Sequence, residues 1–170
     1  SFSSILQKMS EERQINSFIQ QNSYYSISDP KRWKIAEKYL KFKKIILIDR
    51  DGVINHKAKR GEYISKWANF KFIKDTVNAM KFLSTEGFEF IVLTNQAGLA
   101  RGMIEYKDLN FIHEKMMKSL HQLGIRILDI YICPHHWNEN CFCRKPKPGM
   151  FFEASKKYKF RLDQILFIGD

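Results

Sequence analysis

The chain has 170 residues, of which 44% are hydrophobic, and its formal net charge is +11 at pH 7. This length and apolar content predict one globular domain with a core of its own. The sequence contains no long apolar run and no signal-peptide pattern, so we expect a cytoplasmic protein with no membrane partner. The charge favours anionic partners. We interpret it as a solvated basic surface and expect no nucleic-acid partner.

Residues 1–43 are predicted to be an N-terminal extension or linker. A weak helix is predicted to begin at Ser10 and to reach Ile19, and residues 22–26 are predicted to form a loop or a short strand. Asp29 followed by Pro30 is a strong helix start, because it combines a capping side chain with proline at the first helical position. A packing helix over 30–41 is therefore predicted, with an apolar stripe of Trp33, Ala36 and Leu40.

Four aliphatic residues, 45–48, lead directly into Asp49, Asp51 and Gly52. A short apolar run that ends at a glycine turn predicts a strand buried on both faces. The two carboxylates would then lie together where the strand ends, and they would repel each other unless a cation lay between them. Carboxylate oxygens favour a hard cation such as Mg²⁺. A polar turn after a core strand remains the alternative, since Asp and Gly are ordinary turn residues.

The rest of the chain alternates between helices and strands. Residues 54–70 form a long connection of the kind that often serves as a lid or a recognition segment. Helices are predicted over about 75–87, 106–123 and 149–158, and strands over 88–93, 128–132 and 165–168. This alternation predicts an α/β fold with a mainly parallel sheet, in a Rossmann-like three-layer α/β/α arrangement.

Polar groups follow all four predicted strands. They are the Asp49/Asp51 pair, the Thr94/Asn95 pair, the segment after Ile132, and Asp170. In a parallel sheet the carboxyl ends of the strands share one edge, which is where open α/β sheets bind their ligands. The sequence therefore predicts a functional site at this edge.

All three cysteines of the chain lie between residues 133 and 143, together with two histidines. An odd number of clustered thiols argues against a disulfide framework and for metal binding in a reducing cytosol. The pattern C-x-H-x5-C-x-C supplies the four ligands of a closed, structural zinc site, namely Cys133, His135, Cys141 and Cys143. Buried cysteines without metal are the alternative. His136 is expected beside the zinc ligands or facing the substrate.

Arg144 and Lys145 follow the last cysteine directly. A loop pinned by metal would hold these two cations rigidly near the paired carboxylates. That arrangement makes chemical sense if a phosphate binds between them. A solvated basic pair is the alternative.

Taken together, four segments resemble the four motifs of the haloacid dehalogenase superfamily of phosphatases. The segments are Asp49-Arg50-Asp51-Gly52, Thr94-Asn95, Lys145-Pro146 and Gly169-Asp170. The wider pattern, which covers about residues 44–170, resembles the D-glycero-D-manno-heptose-1,7-bisphosphate 7-phosphatases. It comprises residues 49–55, residues 94–102, the cysteine-rich loop and residues 144–150.

The resemblance implies roles for the matching residues. Asp49 would attack phosphorus to form an aspartyl-phosphate, and Asp51 would protonate the leaving sugar oxygen and then activate water. Asp49, the Asp51 backbone carbonyl and Asp170 would hold catalytic Mg²⁺. Thr94 and Asn95 would bind the phosphoryl group, and Lys145 would neutralise its charge. Further candidates for contacts with the sugar phosphate are Gln96, Arg101 and Arg144.

The implied activity is magnesium-dependent removal of the 7-phosphate from a heptose bisphosphate in cell-surface lipopolysaccharide synthesis. The histidinol-phosphate phosphatases share the zinc loop and the D-R-D-G start, so they are the alternative, as is a catalytically incomplete, zinc-stapled fragment of a bifunctional enzyme. We expect the domain to be truncated at Asp170, within the fourth motif. Residues 27–40 resemble the tail helix of sugar-phosphate nucleotidyltransferases, which predicts a covalent fusion to such a domain.

Overall fold

The computed structural model describes residues 2–15 and 27–170, without the side chains of Lys38 and Tyr39. The chain divides into two units, residues 1–38 and residues 39–170. The domain boundary predicted between residues 43 and 44 stays a prediction. Within the described ranges, no helix is both long enough and apolar enough to cross a membrane.

The first helix, α1, spans Phe2–Glu11. The predicted helix from Ser10 onward is therefore wrong in its start, because the apolar residues at helical spacing lie earlier, at Phe2, Ile5 and Leu6. Residues 16–19 of that prediction lie outside the described residues, as does the loop or strand predicted over 22–26.

The second helix, α2, spans Pro30–Leu40 and confirms the predicted helix. Its predicted cap is also present, since Asp29 Oδ1 accepts hydrogen bonds from the backbone N–H groups of Lys31 and Arg32 at 3.0 and 2.9 Å. Of the predicted apolar stripe, only Ala36 is buried, whereas Trp33 and Leu40 are exposed. The cap therefore explains where α2 begins better than the apolar stripe does.

Four strands form one parallel sheet in the order β3-β2-β1-β4. They are β1 (Ile45–Ile48), β2 (Glu89–Asn95), β3 (Ile127–Cys133) and β4 (Leu166–Ile168). This confirms the predicted parallel α/β fold. Strand β2 extends two residues beyond its predicted end, so Thr94 and Asn95 belong to the strand itself. Asn95 pairs with Cys133, the first residue of the cysteine cluster.

The core lies on both sides of β1. Ile46 and Ile48 contribute to one apolar cluster, and Ile45 and Leu47 contribute to the other, as the alternation of side chains along a strand requires. The helices that supply the two clusters are α3 (Lys74–Thr85), α4 (Tyr106–Gln122) and α5 (Gly149–Tyr158). Helices α3 and α4 contribute to the first cluster and α5 to the second, which gives three layers.

Helices α3 and α4 each bury residues in the core, with Met80 buried in α3. Leu109, Ile112, Met116 and Leu120 of α4 are buried. Leu123, directly after the end of α4, and Phe82 of α3 are exposed. Part of the long connection over 54–70 also packs into the core, through Ile54, Ile64 and Phe70.

Leu47 is fully buried in the second apolar cluster, next to the strand end that carries Asp49. We expect Leu47→Ala to lower the free energy of unfolding by about 3 kcal/mol, because it leaves a cavity in a well-packed layer. Phe82→Ala, at an exposed position, is the control and should change it by less than about 0.5 kcal/mol. Urea unfolding measures both values, and equal effects would contradict the described core.

Candidate active site

Asp49 lies directly after β1, at the carboxyl edge of the sheet. Its backbone N–H donates to the carbonyl of Ile168 at 2.8 Å, which ties the ends of β1 and β4 together. Its carboxylate forms an ion pair with Lys145, with 2.6 Å between Oδ2 and Nζ. The two side chains are only 18% and 10% exposed, so the pair is shielded from most of the solvent.

Lys145 is held in place through its backbone by Asn95. The Asn95 side-chain amide donates to the Lys145 carbonyl, and its oxygen accepts from the Lys145 N–H, both at 3.1 Å. One strand residue thereby fixes the loop that carries the cation. The sequence predicted that Asn95 and Lys145 share a site, but it did not predict this contact between them.

Asp51 accepts hydrogen bonds on both carboxylate oxygens. Arg50 NH2 donates to Oδ1 and Oδ2 at 2.9 and 2.7 Å, Asn55 Nδ2 donates to Oδ1 at 2.9 Å, and Gln96 Nε2 donates to Oδ2 at 2.7 Å. Burial raises the pKa of Asp51, but the charge of Arg50 and these hydrogen bonds outweigh it and lower that pKa below its ordinary value. These contacts favour the ionised form of the carboxylate and hold it in one orientation.

Arg50 is almost fully buried beneath Asp51. Its NH1 group lies 2.9 Å from Nε2 of His113, a buried residue of α4. Sequence reasoning missed His113, because the residue lies 63 positions away. The available signal was a histidine on the apolar face of α4, beside Ile112 and Met116.

Gln96 contacts two other predicted site residues, Thr94 and Asp51. Its Nε2 lies 2.7 Å from Thr94 Oγ1 and 2.7 Å from Asp51 Oδ2. Both Gln96 and Thr94 are about 1% exposed. In this arrangement Gln96 orients Asp51 rather than reaching toward the distal part of a substrate.

Asp170 follows β4 and lies against the turn that begins at Asp51. A Cβ atom on Gly52 would lie 2.5 Å from Asp170 Oδ2, and Gly52 has a φ of +93°, so only glycine suits this position. Asp170 forms an ion pair with Lys57, a residue that the sequence analysis did not single out. Hydrogen bonding to Asp170 raises the pKa of Lys57.

Two cavities open at this edge. The larger is about 390 Å³, and its lining includes Asp49, Lys145 and Asp170. The smaller is about 210 Å³, and its lining includes Asp51 and Tyr63. The first combines two carboxylates with a lysine, which suits a phosphate group together with a cation.

Carboxylate oxygens for a hard cation converge here. Asp49 and Asp170 line the same cavity, and the Asp170 carboxylate lies against Gly52, the residue after Asp51. Such oxygen donors fit Mg²⁺, which takes one or two carboxylates and leaves other positions for substrate phosphate and water. The residues present therefore fit the group that the sequence predicts.

Arg101 lies near two aromatic rings. Its guanidinium carbon is 5.7 Å from the centre of the Tyr63 ring and 5.4 Å from that of Trp137, and NH1 donates to the Tyr63 hydroxyl at 3.3 Å. Tyr63 also lines the smaller cavity, so Arg101 contacts a residue of that lining. Arg144 makes a long contact of 3.5 Å with the carbonyl of His135.

The four predicted metal ligands converge. One ligand atom from each of the four, Cys133, His135, Cys141 and Cys143, lies within 4.8 Å of the others. The Sγ atoms of Cys133 and Cys143 are each 3.6 Å from that of Cys141, and His135 Nδ1 is 3.1 Å from Cys143 Sγ. A tetrahedral zinc site with bonds of about 2.3 Å separates its sulfurs by roughly 3.8 Å, so the spacing fits.

The surroundings of two of the three thiols disfavour their ionised form. Burial raises the pKa of Cys133, and burial together with the neighbouring thiols raises the pKa of Cys143 to about 12. Thiolates clustered at this spacing need a positive charge between them, as a bound metal would supply. His136 does not join them. It caps the short helix over Trp137–Glu139, where its Nδ1 accepts from the Asn138 N–H at 3.3 Å.

A family model described as polynucleotide kinase 3 phosphatase matches residues 44–170. Because that range covers most of the chain, the chain belongs to this family of haloacid dehalogenase-like phosphatases. The predicted superfamily and enzyme class, a phosphoric monoester hydrolase, are thereby confirmed.

Two curated relatives illustrate the similarity. The chain is 36% identical over 134 residues to D-glycero-alpha-D-manno-heptose-1,7-bisphosphate 7-phosphatase of Photorhabdus laumondii subsp. laumondii, with 75% of this chain and 72% of that protein covered. It is 39% identical over 127 residues to the histidine biosynthesis bifunctional protein HisB of Campylobacter jejuni subsp. jejuni. That match covers 75% of this chain but only 36% of the bifunctional protein.

The fold of this chain also matches that of a solved structure. It is the D,D-heptose 1,7-bisphosphate phosphatase of B. bronchiseptica in complex with magnesium and phosphate. The TM-score is 0.69 at 33% sequence identity, and the match covers 74% of this chain and 69% of that one.

Proposed function

We propose that this chain is a magnesium-dependent phosphatase that removes the 7-phosphate of D-glycero-D-manno-heptose 1,7-bisphosphate. One observation carries the proposal, namely the shielded pair of Asp49 and Lys145 on the wall of a cavity that also includes Asp170. The Photorhabdus relative and the B. bronchiseptica structure bear names that include this substrate, and the latter was solved with magnesium and phosphate.

The reaction begins with Asp49. Its carboxylate attacks phosphorus, so a bond from carboxylate oxygen to phosphorus forms while the bond from phosphorus to the sugar oxygen breaks. Asp51, which the added negative charge of a bound substrate phosphate would bring to its protonated form, gives its proton to that leaving oxygen. The products of this step are the free sugar hydroxyl and an aspartyl-phosphate on Asp49.

Water then completes the cycle. Asp51, now ionised, takes a proton from a water molecule whose oxygen attacks phosphorus, and the bond from phosphorus to Asp49 breaks. Inorganic phosphate leaves and the Asp49 carboxylate is restored. The hydrogen bonds from Asn55 and Gln96 keep Asp51 beside the reacting centre through both steps.

Charge on the transferring phosphoryl group needs stabilisation in both steps. Lys145 supplies a positive charge 2.6 Å from the nucleophile's carboxylate, and Thr94 and Asn95 lie at the end of the adjacent strand. Mg²⁺, held by Asp49, Asp170 and the Asp51 carbonyl, would neutralise the phosphate oxygens when bound. Lys57 would then give up its contact with Asp170.

The remainder of the substrate would lie in the smaller cavity. Lys57 and Tyr63 line it, and Arg101 lies beside Tyr63. Lys57 and Arg101 are cations that suit a second phosphate at the far end of a sugar bisphosphate, while Glu62 adds one carboxylate to the same lining. Arg144 would contribute from the cysteine-rich loop.

The alternative substrate is histidinol phosphate, and the identity with HisB supports it. That protein is bifunctional by name, and this chain matches about a third of it, which is compatible with a fused arrangement. Four further expectations stay predictions. They are the nucleotidyltransferase partner domain, the truncation of the fold, the absence of a nucleic-acid partner and the cytoplasmic location. The basic surface leaves the substrate choice open, since both candidates are anions.

We also propose that the cysteine-rich loop holds one structural Zn²⁺. The donor set of three thiolates and one imidazole is typical of zinc, and four protein ligands leave no position for substrate. Arg144 and Lys145 follow Cys143 directly, so the metal would anchor the chain just before the catalytic lysine.

Asp49→Asn should reduce phosphate release by on the order of a thousandfold or more, because an amide cannot serve as the nucleophile. Asp163→Asn, at an exposed aspartate paired with Arg161, is the matched control and should retain full activity. Phosphate release in the presence of Mg²⁺ measures both. Activity of the Asp49 variant within tenfold of the unaltered protein would refute the assignment.

Comparison of two substrates decides between the candidate functions. We expect kcat/KM for heptose 1,7-bisphosphate to exceed that for histidinol phosphate by at least about tenfold, because the cations around the smaller cavity favour a second phosphate. Faster hydrolysis of histidinol phosphate would transfer the assignment to the alternative.

Metal analysis tests the cysteine-rich loop. The purified protein should contain one zinc per chain, and Cys141→Ser should lose it and unfold roughly 10 °C lower, a loss of about 3 kcal/mol. Asn138→Ala, at an exposed position of the same loop, should keep both metal and stability. Zinc retained at full stoichiometry in the Cys141 variant would contradict the ligand assignment.

A further inference from the structure

His113 is a buried polar residue on an otherwise apolar helix face. It is 5% exposed, and its neighbours along that face of α4 include Leu109, Ile112 and Met116. Its Nε2 atom lies 2.9 Å from NH1 of Arg50, which is itself 1% exposed. The proposed reaction does not use His113, although only Arg50 lies between this residue and Asp51.

The direction of this hydrogen bond follows from the chemistry of the two groups. A guanidinium keeps its protons in proteins and cannot accept, so Arg50 donates and His113 accepts on Nε2. The imidazole therefore has its single proton on Nδ1. Burial and the charge of Arg50 lower the pKa of His113 to about 3, so the ring is a neutral acceptor near pH 7.

Arg50 joins His113 to Asp51 through opposite parts of one rigid group. NH1 donates to His113, while Nε and NH2 donate to Asp51 at 3.2, 2.9 and 2.7 Å. Because the guanidinium is planar, fixing NH1 also fixes the direction of the other N–H groups. The position of the Asp51 carboxylate therefore depends on an acceptor in α4.

We propose that His113 is a positioning residue for the acid–base step. By accepting from NH1, it keeps Arg50 aligned with Asp51, and Asp51 keeps the orientation from which it protonates the leaving oxygen. This inference rests on the proposed function. Asn55 and Gln96 also contact Asp51, but each through a single N–H donor, whereas Arg50 contacts both carboxylate oxygens.

If His113 only filled the core, its replacement would slow hydrolysis of all substrates alike. A positioning role instead makes the loss depend on the leaving group. A sugar alkoxide is a poor leaving group and needs the proton from Asp51, whereas p-nitrophenolate departs without one. Misplacement of Asp51 should therefore slow hydrolysis of the sugar phosphate selectively. The value of kcat/KM reports the steps up to departure of the leaving group, so its ratio between the two substrates isolates this effect.

The experiment compares His113→Leu with His113→Gln on heptose 1,7-bisphosphate and p-nitrophenyl phosphate. We expect the Leu variant to lose roughly tenfold or more in kcat/KM on the sugar phosphate and less than about twofold on p-nitrophenyl phosphate. The Gln variant, whose amide oxygen can replace Nε2 as acceptor, should keep a ratio near that of the unaltered protein. His121→Leu, at an exposed position of α4, is the control and should change neither value.

Equal losses on both substrates, or no loss in the Leu variant, would overturn the positioning role. If the Leu variant does not fold, His113→Asn replaces it, because its amide is one methylene shorter than that of Gln and does not reach Arg50. The Asn variant, but not the Gln variant, should then lose kcat/KM selectively on the sugar phosphate. Identical ratios of kcat/KM between the two substrates in both variants would overturn the proposal. If the unaltered protein hydrolyses neither substrate, the proposed function itself fails.

Discussion

Three carboxylates lie at one edge of the sheet, and each is paired with a different cation. The pairs are Asp49 with Lys145, Asp51 with Arg50, and Asp170 with Lys57. Acids this close would otherwise repel one another and favour protonation. The cations differ in burial, from 1% exposure for the Arg50 side chain to 58% for that of Lys57. Arg50 thus holds Asp51 from the protein interior, whereas the exposed Lys57 would leave Asp170 if the proposed Mg²⁺ bound there.

The position of Lys145 depends on two separate anchors. Asn95, at the end of β2, brackets the Lys145 backbone with two hydrogen bonds. Cys143, two residues earlier, belongs to the cluster of four proposed zinc ligands, and Cys133 of the same cluster pairs with Asn95 across the sheet. A structural metal would therefore tie the end of β3 to the loop that carries Lys145. Under the proposed function, such a connection would let a site with no open coordination position affect catalysis.

Local patterns predicted the parts of the site that follow strands. The apolar runs located β1 and β2, and parallel pairing then brought Asp49, Asn95 and Asp170 to one edge. The C-x-H-x5-C-x-C spacing likewise predicted all four clustered ligands. Contacts between distant segments carried no comparable signal, which is why His113 behind Arg50 and Lys57 beside Asp170 were missed. Helix α1 was misplaced for another reason, since none of its residues is buried and its apolar stripe is short.

The central claim is that Asp49 becomes phosphorylated during turnover. Mass spectrometry after rapid acid quenching tests it most directly, with the Asp51→Asn variant used to slow the water step. The substrate is p-nitrophenyl phosphate, because its leaving group needs no proton from Asp51. The account predicts one added phosphoryl group per chain, located on Asp49 and removed by hydroxylamine. A phosphoryl group on any other residue, or none while a burst of p-nitrophenolate is released, would contradict it.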